Sequence, residues 1–294
     1  MKEQFSVLSP HAKGIIAVVV AAILWSSGGV FIKLIELNSI QLSFFRSIFA
    51  AGVFVVIYRE KVLKFDKFAI ISAIFYSGVL IFFVVATKLT TSANAIFLQY
   101  TAPVYVLILE PLLLKTKFER INLVAIILCF AGMTLFFVGE LQPGQLDGNL
   151  FALVSGICLA GLFLSLRKTK REHQPSAIFM GNILVALICS YSVFTPITVS
   201  TNDLLMVGFL GIFQIGIAYA IFTYGITRVE AVEASLIGMI EPVLNPVWVL
   251  IGYGERPSAW AILGGVIIIL TIIARSVVLD RFRKRKLKFT VKEG

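Results

Sequence analysis

Runs of about 20 apolar residues, separated by short charged links, recur along the whole 294-residue chain. A helix needs roughly 20 such residues to span a hydrocarbon core of about 30 Å. Hydrophobic residues make up 59% of the sequence and charged residues 14%, well outside the balance of a soluble domain. The expected fold class is therefore an all-α polytopic membrane protein. Ten transmembrane helices are predicted, at roughly 14–34, 39–58, 67–87, 92–113, 120–139, 146–166, 175–196, 203–225, 231–252 and 257–279. The first run is too long for a signal-peptide core, lacks an A-x-A-like cleavage site and leads into further spans, so it reads as the first helix.

The formal charge of +10 would suggest a nucleic-acid partner in a soluble protein. Here the basic residues flank spans, where they set orientation. With the N-terminus inside, two Lys/Arg precede the first span, and four, three, four and one occupy successive inner links. Seven more lie in the tail, giving twenty-one inside against Lys33, Lys88 and Arg256 outside. Both termini are accordingly expected in the cytoplasm, with "RFRKRKLK" anchoring the last helix at an anionic leaflet. Partners are then membrane lipids and a small-molecule solute, with no nucleic acid. Cys129, Cys158 and Cys189 sit in apolar runs without metal-type spacing and read as packing residues. No cofactor or metal is expected, and no specific role for His11 or His173.

The chain repeats itself. "SANAIFLQYTAPVYVLI" (92–108) lies against "AVEASLIGMIEPVLNPV" (231–247) at an offset of 139, pairing Ala95 with Ala234 and Pro103 with Pro242. "KFERINLVAIILCFAGM" (117–133) lies against "YGERPSAWAILGGVIII" (253–269) at 136, pairing Glu119-Arg120 with Glu255-Arg256. "LSFFRSIFAAGVF" matches "AIFMGNILVALIC" less closely, at 135. The repeats divide the chain at 1–143 and 144–294, the second half carrying the basic tail. Five spans per unit is odd, so the second copy must enter the membrane upside down, as in inverted-repeat transporters.

With Trp25 and the following "SSGGVFIK", Arg46 in "FFRSIFAAG", "TTSANAIFLQYTAPVY", "YAIFTYGITRVEAVEASLIGMIEPVLNPVW" and "GYGERPSAWAILGGVIII", the chain resembles EamA-type transporters of the drug/metabolite transporter superfamily over essentially its whole length. The resemblance implies two inverted five-helix repeats around a central cavity, helices 5 and 10 peripheral, and carriage of small metabolites. It departs from the pattern where the first copy has Ala102 opposite Glu241.

Glu241 is the only charge from Ala234 to Gly254. A charge at the bilayer centre costs at least a few kcal/mol. It reads either as a neutral carboxyl bonded to a neighbouring helix or as a proton carrier, a ligand for a cationic group or a gate partner. Pro242 and Pro246 free backbone carbonyls in the same helix, and Asn245 adds polarity. With Pro103 they form the candidate coupling and gating set. Arg46, the only charge between Leu37 and Tyr58, could snorkel outward or hold Glu241 or a substrate carboxylate. Glu110 and Lys33, near span ends, read as interfacial. Trp25, Tyr76, Gln99, Tyr100, Gln214, Tyr219, Tyr224 and Trp248 lie within spans, where buried hydroxyls, amides and indoles need partners. With Arg46 and Glu241 they form the candidate substrate-binding set.

The leading expectation is a secondary transporter of small organic metabolites, amino acids or related and aromatic solutes, exported from a bacterial cytoplasmic (inner) membrane by a monomer or weak homodimer. A membrane enzyme would need acidic metal clusters or a nucleophile–base set, which the sequence lacks, and a channel would need a filter-like repeat.

Overall fold

The structure, a computed structural model, describes residues 8–139, 144–194, 200–253 and 258–290. Among them every regular element is helical. In chain order these are α1 (Pro10–Leu34), α2 (Ser39–Leu63), α3 (Lys67–Leu89), α4 (Ser92–Leu114), α5 (Arg120–Phe136), α6 (Leu146–Lys168), α7 (Arg171–Ser192), α8 (Thr201–Ile226), α9 (231–253) and α10 (Ala259–Thr290). Eight of them, all but α5 and α9, are long and apolar enough to cross a membrane. The 17 residues of α5 fall just short of that length, and α9 is divided into Ala231–Gly238 and Ile240–Tyr253.

Helix starts follow local chemistry. Asn38 and Gln41 form a capping box on α2, and Ser200 and Asp203 form one on α8. Asp66 accepts from Ala69 N at 2.8 Å to start α3. Burial pushes the Asp66 carboxyl up, but hydrogen bonds from Ala69 N–H and His173 outweigh it and hold it below its ordinary range. The start of α9 is different: the Glu110 carboxylate on α4 accepts from Ala231 N at 3.0 Å and Val232 N at 2.8 Å. It supplies from another helix the side-chain cap that Glu230, the N-cap residue of α9, does not make.

Four helices lose regular α geometry midway. α1 breaks at Ser26–Ser27, at the start of the small-residue run "SSGG", and α4 breaks at Tyr100–Thr101. α9 breaks at Met239, and Leu210–Ile217 of α8 winds as a π-helix. Pro103 sits in the first turn after the α4 break, and Pro242 in the first turn after the α9 break. Neither removes a hydrogen bond from a helix interior; each stands where an amide would have no intrahelical partner.

α3 packs along α6 and α7, α2 along α7 and the π-helix of α8, and α1 along α8 and α9. α4 packs on α6 and on Ala231–Gly238, while α5 and α10 pack chiefly on each other. The α5–α10 pair approaches closely through Gly132 and Gly264, where a Cβ on Gly264 would collide with the Gly132 carbonyl and the Phe136 backbone. Small residues permit such contact between apolar helices. Gly264→Val is expected to lower the unfolding midpoint of the detergent-solubilised protein by about 5 °C, as overpacking of 1–3 kcal/mol implies. Gly52→Ala, with open space around it, should leave the midpoint unchanged.

Candidate functional site

The four interruptions meet at one cavity of about 40 Å³. Trp25 reaches it from α1 and Arg46 from α2, while Val79, Leu80 and Phe83 line it from α3. Gln99 and Tyr100 of α4, Leu159 and Phe163 of α6, and Gln214, Ile215 and Tyr219 of α8 complete the wall with Glu241 of α9. A volume of 40 Å³ accommodates two or three waters. Small-molecule pockets run to about 300 Å³ and more, so admitting a metabolite requires the helices to separate.

At two of the breaks a freed carbonyl is bonded by a side chain from another helix. Gln214 Nε2 donates to Trp25 O at 3.3 Å, where α1 stops. The Tyr100 hydroxyl lies 2.8 Å from Gly238 O, where the first piece of α9 stops. The same hydroxyl is 2.6 Å from Glu241 Oε2. Trp248 Nε1 donates to Ser26 Oγ at 2.7 Å, tying the second piece of α9 to the α1 break. Gln99 Nε2 donates to Ser155 Oγ at 2.7 Å.

Arg46 does not snorkel: it is 1% exposed and faces the cavity. It also does not hold Glu241, because no ion pair within 4 Å joins them. Its Nε and Nη2 are buried without a hydrogen-bond partner, as are Trp25 Nε1 and Gln214 Oε1. Tyr219 packs between the rings of Trp25 and Tyr76, at centroid distances of 4.9 and 4.8 Å.

Of the residues predicted from sequence, Trp25, Arg46, Gln99, Tyr100, Gln214, Tyr219 and Glu241 line the cavity. Tyr76 stands one layer behind, its hydroxyl accepting from Asn182 Nδ2 of α7 at 2.9 Å. Trp248 braces the α1 break and is 38% exposed. Tyr224 does not line this cavity: it is 42% exposed and lies under the Arg228 guanidinium at 3.5 Å. Five residues on from Tyr219, it is on another face of α8. The side chains of Asn245, Pro246 and Tyr253, together with Glu255 and Arg256, lie outside the described residues.

A second charged cluster was missed. Arg275 of α10 is buried, with Nη1 2.7 Å from Glu233 Oε1, Nη2 3.6 Å from Glu230 Oε2 and Nε donating to Asn122 Oδ1 at 2.9 Å. His11 Nε2 lies 2.7 Å from Glu233 Oε2. His11 therefore has a specific partner, as does His173 with Asp66 at 3.1 Å. Glu110 is buried as the α9 cap rather than interfacial. The available signal was an arginine inside the last apolar run together with two glutamates three residues apart.

A profile of the EamA-like transporter family matches residues 12–138 and again 146–276. The chain belongs to the EamA-like transporter family. An "uncharacterized transporter" of Archaeoglobus fulgidus is 25% identical over 87% of this chain and 94% of its own length. Bacillus subtilis "uncharacterized transporter YxxF" is 25% identical over 89% and 90%. Human solute carrier family 35 member G1 is 20% identical over 90% and 79%. A solved crystal structure superposes with a TM-score of 0.76 at 17% identity, covering 90% of this chain and 97% of that one, which shows the fold. With its apolar helices, membership makes the EamA-type chain a multi-pass membrane protein.

Arg275→Ala would leave Glu233 without its buried counter-charge, at a cost of about 3 kcal/mol or more. Its unfolding midpoint is expected to fall by several degrees, and Arg275→Met combined with Glu233→Met should recover most of that loss. A double variant no more stable than Arg275→Ala would remove the pair from the account.

Proposed function

We propose that the protein is a secondary transporter that moves small organic metabolites, amino acids or related and aromatic solutes, out of the cell across a bacterial cytoplasmic membrane. It works by alternating access, with Glu241 as the coupling group. The observation that carries this reading is the cavity at which α1, α4, α8 and α9 all depart from α geometry around one intramembrane acid. Broken helices in a membrane are tolerated where they line a cavity, and there they form ion and substrate sites.

All ten helices cross the membrane in this reading, α5 and α9 included, as two inverted five-helix repeats. The doubled family match supports the duplication. So do the helix pairings: advancing each label by five turns α1–α8 into α6–α3, α2–α8 into α7–α3, and α4–α6 into α9–α1, all of which are present. The α4 and α9 breaks correspond as well, since Met239 aligns with Tyr100 at the offset of 139. His11 and Arg275 meet on Glu233, which supports both termini on one face, the cytoplasmic one by the distribution of lysine and arginine.

Thermal-shift screening of purified protein against metabolites, followed by liposome flux on the hits, tests the reading. The hit should move saturably and respond to a pH gradient. Glu241→Gln is expected to fold normally and to abolish the pH-gradient response. Wild-type rates with wild-type pH dependence in that variant would reject the coupling role, and single-channel conductance would replace alternating access with a pore.

A further inference from the structure

The cavity contains an excess of donors. Arg46 Nε, Arg46 Nη2 and Trp25 Nε1 are buried without acceptors, and all belong to side chains lining the same space. Gln214 Oε1 is the one buried acceptor there without a donor. A guanidinium with two buried donors and no counter-ion within reach is costly, and its planar fork matches a carboxylate or another oxyacid. The groups facing Arg46 and Glu241 leave no second charge nearby: α4 contributes Tyr100, α8 Tyr219 and α3 Tyr76, all phenols, while the α1 and α6 walls bear no titratable side chain.

The Tyr100 hydroxyl has one proton and two oxygen neighbours, Gly238 O and Glu241 Oε2. Both contacts are hydrogen bonds when Tyr100 donates to Gly238 O and a protonated Glu241 donates to Tyr100 Oη. In that form the cavity wall has a net charge of +1, from Arg46. Adding a monoanion returns it to zero. With the solute gone and Glu241 ionised it is again zero. A monoanion beside ionised Glu241, or an empty cavity beside protonated Glu241, leaves an uncompensated charge in a low-dielectric layer.

We infer that the transported solute is a monoanion gripped by Arg46 through a carboxylate-type oxyacid group, and that it occupies the cavity together with one proton on Glu241. This rests on the transporter reading and narrows its substrate class to the related acids, setting zwitterionic amino acids aside. The solute forms charge-assisted hydrogen bonds with Nε and Nη2, its apolar body lies against Trp25 and Phe163, and the proton stays on the Glu241 carboxyl until the solute leaves.

The test uses the purified full chain in detergent, with phenylacetate, phenylacetamide, phenethylamine and phenylalanine as size-matched probes at pH 6 and pH 8. Phenylacetate should raise the unfolding midpoint, more at pH 6 than at pH 8, whereas the amide and the amine should not. Arg46→Gln should weaken phenylacetate by about thirtyfold, the loss of a charge-assisted contact. Glu241→Gln should keep the phenylacetate shift and lose its pH dependence.

The inference is overturned if the amide, amine or zwitterion stabilises as well as the acid. It is equally overturned if Arg46→Gln retains the shift. It also fails if neither phenylacetate, acetate nor phosphate stabilises the wild type, or if only added phosphatidylglycerol does, which would make the anion a lipid headgroup. Liposome flux separates the two readings. Saturable movement of a neutral or cationic probe sinks the inference and leaves the transporter; binding of the anion without movement does the reverse.

Discussion

A helix that breaks inside a hydrocarbon layer exposes carbonyls and amides that no water will bond. Each such group left alone costs several kcal/mol. Here the interrupted helices satisfy one another: Gln214 of the π-helix bonds Trp25 O of α1, Tyr100 at the α4 break bonds Gly238 O at the α9 break, and Trp248 of α9 bonds Ser26 of α1. These bonds join α8 to α1 and α4 to α9 around the cavity, while Ser26 and Ser27 bond the Ile23 and Leu24 carbonyls from within α1.

The buried charges divide into two groups by how fully they are compensated. At one end of the bundle, Arg275 is matched by Glu233, Glu230 and Asn122, with His11 on the far side of Glu233. That cluster joins α1, α5, α9 and α10 and holds them in register. In the cavity, Arg46 has no acid within reach. The first arrangement is what stability alone would produce; the second is costly to the empty protein and is retained at the site where a ligand would complete it.

Much of this was legible in the sequence because chemistry in a membrane is sparse. A lone acid among twenty apolar residues, a lone arginine and two prolines at matching positions pointed to Glu241, Arg46, Pro242 and Pro103. What could not be read was which way a side chain faces. In a soluble helix the apolar stripe marks the inside, but lipid is as apolar as a protein core, so the stripe disappears. Tyr219 and Tyr224 look alike in sequence, yet one stacks on Trp25 and the other lies under Arg228. Arg275 was hidden for the same reason, and because Glu230 and Glu233 come from a distant part of the chain.

The two family-matched halves break alike in α4 and α9, whereas α1 and α8 are interrupted opposite continuous α6 and α3, and even the matching pair differs in what stands beside the break. At the position where α9 has Glu241, α4 has Ala102. The acid is thus attached to one helix alone, and that helix begins with the eight-residue piece Ala231–Gly238. Its first turn is held by Glu110, its Glu233 is bound to Arg275 and His11, and its last carbonyl is bonded by Tyr100, which also touches Glu241. Two turns of helix therefore separate the compensated cluster from the cavity. That segment is bonded at both ends, to Glu110 and Arg275 at one and to Tyr100 at the other, so it links the compensated cluster directly to the wall of the cavity.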